Sequence, residues 1–140
     1  RPFRRGAAAS LEPLRDQLHS VMWEKVGILR DAASLQGAQA ELQSLDEALN
    51  DYCLPTPVRE FNLTWHDWLN LKSLVAVSRA IALAAAARRE SRGAHFRTDF
   101  PDSGSLEQSA FTSIKDGVVT MKPVAFTRVA PGQTLLRHVA

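Results

Sequence analysis

Cysteine is nearly absent from the chain. Cys53 stands alone in 140 residues, which excludes an internal disulfide framework and any zinc site built on several thiolates. A reducing compartment fits that usage. Net charge is scarce as well: 17 Lys and Arg face 15 Asp and Glu, for a formal +2. The pI near 9.0 reflects a small excess of arginine rather than a polycationic face, so charge does not call for nucleic acid. No uninterrupted apolar run reaches the ~18–20 residues that cross a bilayer. The richest stretch, residues 80–87, stops at Arg88 and Arg89. The sequence contains no G-x-S-x-G elbow, Walker loop or G-x-G-x-x-G turn, which removes the commonest nucleophile and phosphate-cradling motifs. It also opens on Arg1, without an initiator Met or a signal-peptide pattern. The chain is expected to be a piece of a longer protein.

What is there suits one helical domain. Hydrophobic residues make up 45% of the chain, and a domain of this size hides roughly two-thirds of its unfolded surface without staples. Residues 1–9 are expected to be a linker or arm. Ser10 is the expected N-cap of a helix over about 11–33, with Pro13 tolerated in the first turn. Leu14, Leu18, Met22, Val26 and Leu29 recur at helical spacing, and Val21 and Trp23 are expected to widen that stripe. A second helix is expected over about 36–52, with Leu42, Leu45, Leu49 and Tyr52 on one face. Leu54-Pro55-Thr56-Pro57 ends it. Thr64-Trp65-His66-Asp67 resembles a capping box, with Leu63 and Trp68 as a hydrophobic staple. The helix it opens is expected to run to about residue 91 and to be the most buried, with Gly93 as its C′ residue.

Beyond Gly93 the texture changes. Lys115-Asp116-Gly117 between two β-rich runs is a hairpin signal, and residues 123–126 are expected to extend its second strand. The fold class is mainly α: a three-helix bundle, spectrin-repeat-like and up-down-up, followed by a short β-hairpin tail. The expected division is 1–9 arm, 10–101 helical domain and 102–140 loop and hairpin.

Little in the chain carries chemistry. No two of His19, His66, His95 and His138 stand at the i, i+3/i+4 spacing of a helical metal site, so no metal ligands and no catalytic residues are assigned. Cys53 reads as a small apolar filler, and Asp46-Glu47 as a solvated pair. The exit of the third helix is different, because Glu90, Arg92, Gly93, His95, Arg97 and Asp99 crowd both charge signs around a glycine. One reading is an anion site built from Arg92, His95 and Arg97. The other is an internal cluster that fixes the following loop, and it is preferred because a helix C-terminus repels anions.

At this segment the sequence resembles a known family. Arg89-Glu90-Ser91-Arg92-Gly93-Ala94-His95-x-Arg97-x-Asp99-Phe100-Pro101 is similar to a signature near the C-terminus of succinate dehydrogenase and fumarate reductase flavoproteins. L-aspartate oxidases carry a less close version. Upstream, Leu18-x-x-x-Met22-Trp23-x-x-Val26-Gly27-Ile28-Leu29-Arg30 resembles the first helix of that family's C-terminal domain. Asn70-Leu71-x-x-Leu74, followed by alanines, resembles its third. The resemblance implies the helical C-terminal domain of an FAD-dependent oxidoreductase acting on succinate, fumarate or a similar dicarboxylate. It implies FAD in the parent and none in this piece, since the family's flavin and substrate residues precede this region. It further implies, as partners, the FAD-binding and capping domains of the parent chain and an iron–sulfur subunit. Nucleic acid and direct membrane insertion are not expected, and the implied location is cytoplasmic, at the inner face of a membrane where partner subunits hold it there. The alternative is a stand-alone helical protein-interaction module.

Overall fold

The computed structural model describes residue 3 and residues 10–56, 58–105 and 109–125. Most of the expected arm, the end of the strand extension at Phe126, and His138 lie outside the described residues. Three helices account for most of the fold: α1 (Glu12–Val26), α2 (Ala32–Asp51) and α3 (Leu63–Ala87). Two short strands, β1 (Leu29–Arg30) and β2 (Phe96–Arg97), pair in parallel. β3 (Ala110–Lys115) and β4 (Val118–Pro123) form an antiparallel hairpin.

The first helix is shorter than the apolar spacing predicts. Its N-cap is Leu11, not Ser10; Ser10 stands one residue earlier, its hydroxyl accepting from the Glu12 N–H at 3.1 Å. At the other end the chain breaks at Gly27, where any Cβ would lie 2.6 Å from the Trp23 carbonyl oxygen. Leu29 therefore belongs to a strand and is exposed, and Trp23 points to solvent at 84% exposure. Asp31 then starts α2 earlier than expected, because its carboxylate accepts from the Ser34 N–H at 2.9 Å. An aspartate is worth more as such a cap than inside a helix.

α3 also opens differently. The N-cap is Asn62, whose Oδ1 accepts from the Trp65 N–H at 2.9 Å while its amide donates to the Val58 carbonyl at 2.7 Å. Thr64 and Asp67 form no capping box, and exposed Leu63 forms no staple. The helix stops at Ala87 instead of about residue 91. Gly93 does take a positive φ of 57°, but within a tight turn closed by Arg92 and His95, whose backbones exchange hydrogen bonds of 2.9 and 3.0 Å.

The core is centred on α2. Its Leu35, Ala38, Leu42, Leu45 and Leu49 are buried between Leu18, Val21 and Val26 of α1 and Leu71, Val75, Ala82 and Ala85 of α3. A fully buried leucine contributes about 1.5–3 kcal/mol through the area it removes from water. α3, expected to be the most buried helix, instead leaves Leu74, Val77 and Ile81 substantially exposed. Its apolar residues encircle the helix, and α2 covers only one side. α2 and α3 run antiparallel, as Asp46 pairing with Arg79 and the Leu49 carbonyl accepting from the Trp68 indole at 2.8 Å require. By length and composition alone α3 is long and apolar enough to cross a membrane, although no uninterrupted apolar run within it reaches that length. Here Lys72 and Arg79 interrupt it and both pair with Asp46.

The hairpin forms as its turn residues dictate. Lys115 pairs with Val118, and Asp116 and Gly117 between them both take positive φ, 51° and 76°. That is the backbone a two-residue hairpin loop needs.

Candidate functional site: a clasp of helix ends

Three helix ends meet at the β1–β2 ladder, where Leu29 pairs with Phe96 and Arg30 with Arg97. The ladder is extended by Thr98, whose N–H donates to the Arg30 carbonyl at 2.8 Å. The segment after α3 thus returns to the connection between α1 and α2, and each end receives a charge of suitable sign.

Arg97 is the centre of this arrangement. Only 2% of it is exposed. One guanidinium nitrogen donates to the carbonyls of Ala85, Ala86 and Arg88 at 3.2, 3.3 and 2.9 Å, closing the C-terminal end of α3. Its other two nitrogens hold Asp99 as a fork, both at 2.7 Å. Phe100 lies against the cation, its ring centroid 4.9 Å away. Asp99 in turn accepts from the Ala32 N–H at 3.0 Å, at the N-terminus of α2. A cation thus sits at one helix C-terminus and an anion at another helix N-terminus, each matched to the local dipole. The Arg97 fork, with the α2 amide, holds the Asp99 carboxyl well below its usual range, at about 2. Asp31 is lowered as well, mainly by the Ser34 N–H and hydroxyl.

Arg30 performs the same service for α1. Its Nε donates to the carbonyls of Val26 at 3.1 Å and Gly27 at 2.7 Å. Its Nη1 donates to His95 Nδ1 at 2.7 Å, so the imidazole is neutral and carries its hydrogen on Nε2. That Nε2 is buried and has no hydrogen-bond partner among the described residues. Burial, then the positive charges of Arg30, Arg88 and Arg97, press the His95 pKa below its ordinary value.

The rest of the motif works further out. Glu90 pairs with Arg88, and Arg88 also donates to the Ala110 carbonyl at 3.2 Å, joining the end of α3 to the hairpin. Arg92 donates to the Ser103 carbonyl at 2.6 Å and to the Ser105 carbonyl. Arg92, His95 and Arg97 therefore do not converge on one open cleft. They serve three separate tasks. Sequence reasoning missed Arg30, Asp31 and Ser91 as members of the assembly. Ser91 is a junction: its hydroxyl accepts from the Arg97 N–H at 2.8 Å and donates to the Phe100 carbonyl at 2.8 Å. Gly27 and the Asp-capped restart of the helix were the available signals for Arg30 and Asp31.

The described helix N-termini are already served by the chain's own oxygens: Ser10 at α1, Asp31 and Asp99 at α2, Asn62 at α3. Two of these caps are carboxylates and would repel a dinucleotide's phosphates, so these residues do not fit a flavin's pyrophosphate. Among the described residues no group of three His, Cys, Asp or Glu is placed to hold a metal ion.

Comparison with known proteins agrees with this geometry. A family described as "Fumarate reductase flavoprotein C-term" matches residues 15–135. The fumarate reductase flavoprotein subunit of Mycobacterium tuberculosis is 32% identical over 125 residues, 86% of this chain and 21% of that one. The succinate dehydrogenase flavoprotein subunit of Coxiella burnetii is 33% identical over 114 residues, 79% of this chain and 19% of that one. Among solved structures, the Sdh1 complex of Mycobacterium smegmatis in the apo form contains a chain that superposes with a TM-score of 0.69 at 30% identity. The match covers 97% of this chain and 23% of that one. The chain thus spans about a fifth of the length of these relatives.

Proposed function

Because the chain belongs to the fumarate reductase flavoprotein C-terminal family, we propose that it is the helical C-terminal domain of an FAD-dependent oxidoreductase acting on succinate, fumarate or a similar dicarboxylate. The flavin would supply the redox chemistry in the parent protein. The chain itself has a structural and docking role, holds no cofactor and does not turn over substrate alone. The helical part, residues 10–101, provides the ordered surface; beyond it Arg92 secures the loop at Ser103 and Ser105, and Arg88 secures the hairpin at Ala110. The FAD-binding and capping domains of the parent are its first partners, with an iron–sulfur subunit beyond them. The parent works in the cytoplasm, at the inner face of a membrane where partner subunits hold it there.

One observation carries the docking role. The motif's charges are spent on the protein itself, Arg97 on the end of α3 and on Asp99, which orders a loop instead of opening a ligand cleft. Glu90, Arg92, Gly93, His95, Arg97 and Asp99 form the docking motif in this reading, as positioning groups.

The test begins with the coding sequence upstream of Arg1. A strand–turn–helix with G-x-G-x-x-G is expected there, and the full-length chain is expected to purify yellow and to oxidise succinate, or reduce fumarate, with a dye partner. The 140-residue chain mixed with FAD is expected to be colourless after desalting. A full-length protein without flavin, or stoichiometric flavin on this chain alone, would overturn the proposal.

A further inference from the structure

His95 and Arg30 meet inside the clasp through a hydrogen bond that one protonation state alone permits. A guanidinium cannot accept, so the lone pair comes from His95 Nδ1, 2.7 Å from Arg30 Nη1. A further proton on the imidazole has one place to go, that same Nδ1, because the enclosed Nε2 already carries a hydrogen. Its arrival removes the acceptor and sets an imidazolium against a guanidinium. Neither side can step back while the clasp is shut. The Arg30 Nε is committed to the Val26 and Gly27 carbonyls, and the backbone of His95 is bonded to that of Arg92 in both directions. The charges around the ring offer no relief. Arg88 at the end of α3 and Arg97 on β2 add to the positive side, and Glu90 opposes them. Glu90 is paired with Arg88, Asp99 is held in the Arg97 fork, and Asp31 caps α2. On α1, Glu24 lines a hollow with Arg30 and Ala94, where it accepts from the Ser20 hydroxyl at 2.9 Å.

We propose that His95 is an acid-released catch: protonation of its Nδ1 breaks the hold on Arg30 and frees the turn of residues 92–96 from the connection between α1 and α2, while the helices stay packed. The separation falls at the β1–β2 ladder, at the Leu29–Phe96 pair and at the Thr98 N–H bond to the Arg30 carbonyl. The helices hold because Leu35, Leu42, Leu45 and Leu49 of α2 form their contact and have no proton to gain. Arg97 also keeps its grip on Asp99, which stays ionised down to about 2. Burial, then the three arginines, press the proton affinity of the ring below its ordinary value, so the open form takes up the proton first. The closed catch is therefore complete above about pH 6.5 and weakens as the pH falls below it. That interval begins well above the one in which Asp99 titrates. The catch stands on the geometry of the clasp and is independent of the reaction the parent performs.

Amide hydrogen exchange of this chain at a series of pH values, corrected for the intrinsic pH dependence of exchange, tests the catch. The Thr98 amide is expected to lose protection below about pH 6.5, by up to about tenfold per pH unit, the limit when opening takes up one proton. The amides of Leu42 and Leu45 are expected to keep theirs. His95→Asn retains an acceptor near the place of Nδ1 but has no proton to gain, so its Thr98 protection is expected to be flat over the same interval. Nitrogen NMR of the wild-type imidazole gives a reading that needs no variant: Nδ1 is expected to be bare at neutral pH and to gain its proton where the Thr98 protection falls. Wild-type Thr98 protection that stays flat down to about pH 5 would overturn the inference, as would a bare Nε2 at neutral pH. A fall in His95→Asn as steep as in the wild type would overturn it too, since another group would then be the sensor. Equal loss of protection at Leu42 would show that the whole domain responds and that no separate catch exists.

Discussion

Arg97 and Arg92 belong to one short motif and have the same chemistry, yet the structure uses them in opposite ways. Arg97 is enclosed, forks onto Asp99 and closes the carbonyl end of α3. Arg92 lies further out and ties backbone carbonyls of the loop beyond the motif. The difference is one of dielectric surroundings as much as of partners. A hydrogen-bonded charge inside the protein cannot be replaced by water when its partner is removed, while one near the surface can. The inner pair therefore holds the helices together, and the outer arginine holds a loop onto them.

The largest test of that contrast is Arg97→Ala. It takes a buried cation from the end of α3 and leaves Asp99 without its fork, and a loss of about 3 kcal/mol is expected, the upper end for hydrogen bonds to a charged group, read as the shift in a urea unfolding midpoint. Arg97→Lys is expected to recover little of it, because an ammonium cannot reproduce the fork.

Gly27→Ala probes the entry to the clasp from α1. The new Cβ meets the Trp23 carbonyl at 2.6 Å, so the chain must shift where Arg30 caps the helix. A loss of roughly 2 kcal/mol is expected from backbone strain of this kind, measurable in the same unfolding experiment. Wild-type stability would show that the end of α1 gives way freely.

Acid should weaken the inner pair next. The Asp99 carboxyl sits at about 2 in the fold against an ordinary 3.8, so the unfolded chain binds its proton first. The stability it contributes is complete above the ordinary value and disappears as pH falls through the folded one. Asp31 is displaced in the same direction. The melting temperature is expected to drop between about pH 5 and about pH 2, and less steeply in Asp99→Asn. Equal slopes in the two proteins would show that other carboxylates govern acid unfolding.

Arg92→Ala is the smallest change, with an expected loss of about 1 kcal/mol or less, since water replaces partly exposed hydrogen bonds. Its signature is local: faster amide exchange around residues 103–105, with the helices unaffected. A loss as large as that of Arg97→Ala would erase the distinction between the two arginines.

The parts of the fold legible in the sequence are those set by neighbours along the chain. Leu42, Leu45, Leu49 and Tyr52 follow a helical period, and all are buried. The Asp116-Gly117 pair demands its hairpin turn and makes it. The motif at the exit of α3 stood out by its mixture of charges, though not by the partner each charge takes. Gly27 was the missed local signal: the apolar period runs through it, but the backbone does not.

What only the tertiary structure decided depends on which surfaces meet. α3 is apolar all round, and periodicity cannot say that α2 covers one side of it and leaves Val77 and Ile81 open. Arg30 looked like the end of a helix until the chain returned from α3 and set His95 against it, 65 positions away. A side chain's local preference is written in its near neighbours, whereas its burial and its charge partner depend on segments brought together by folding. The sequence by itself determined three amphipathic or apolar helices, a hairpin and a charged turn. Packing chose the arginine that would lie inside, because the pairing of β2 with β1 sets Arg97 against the junction where the helix ends meet.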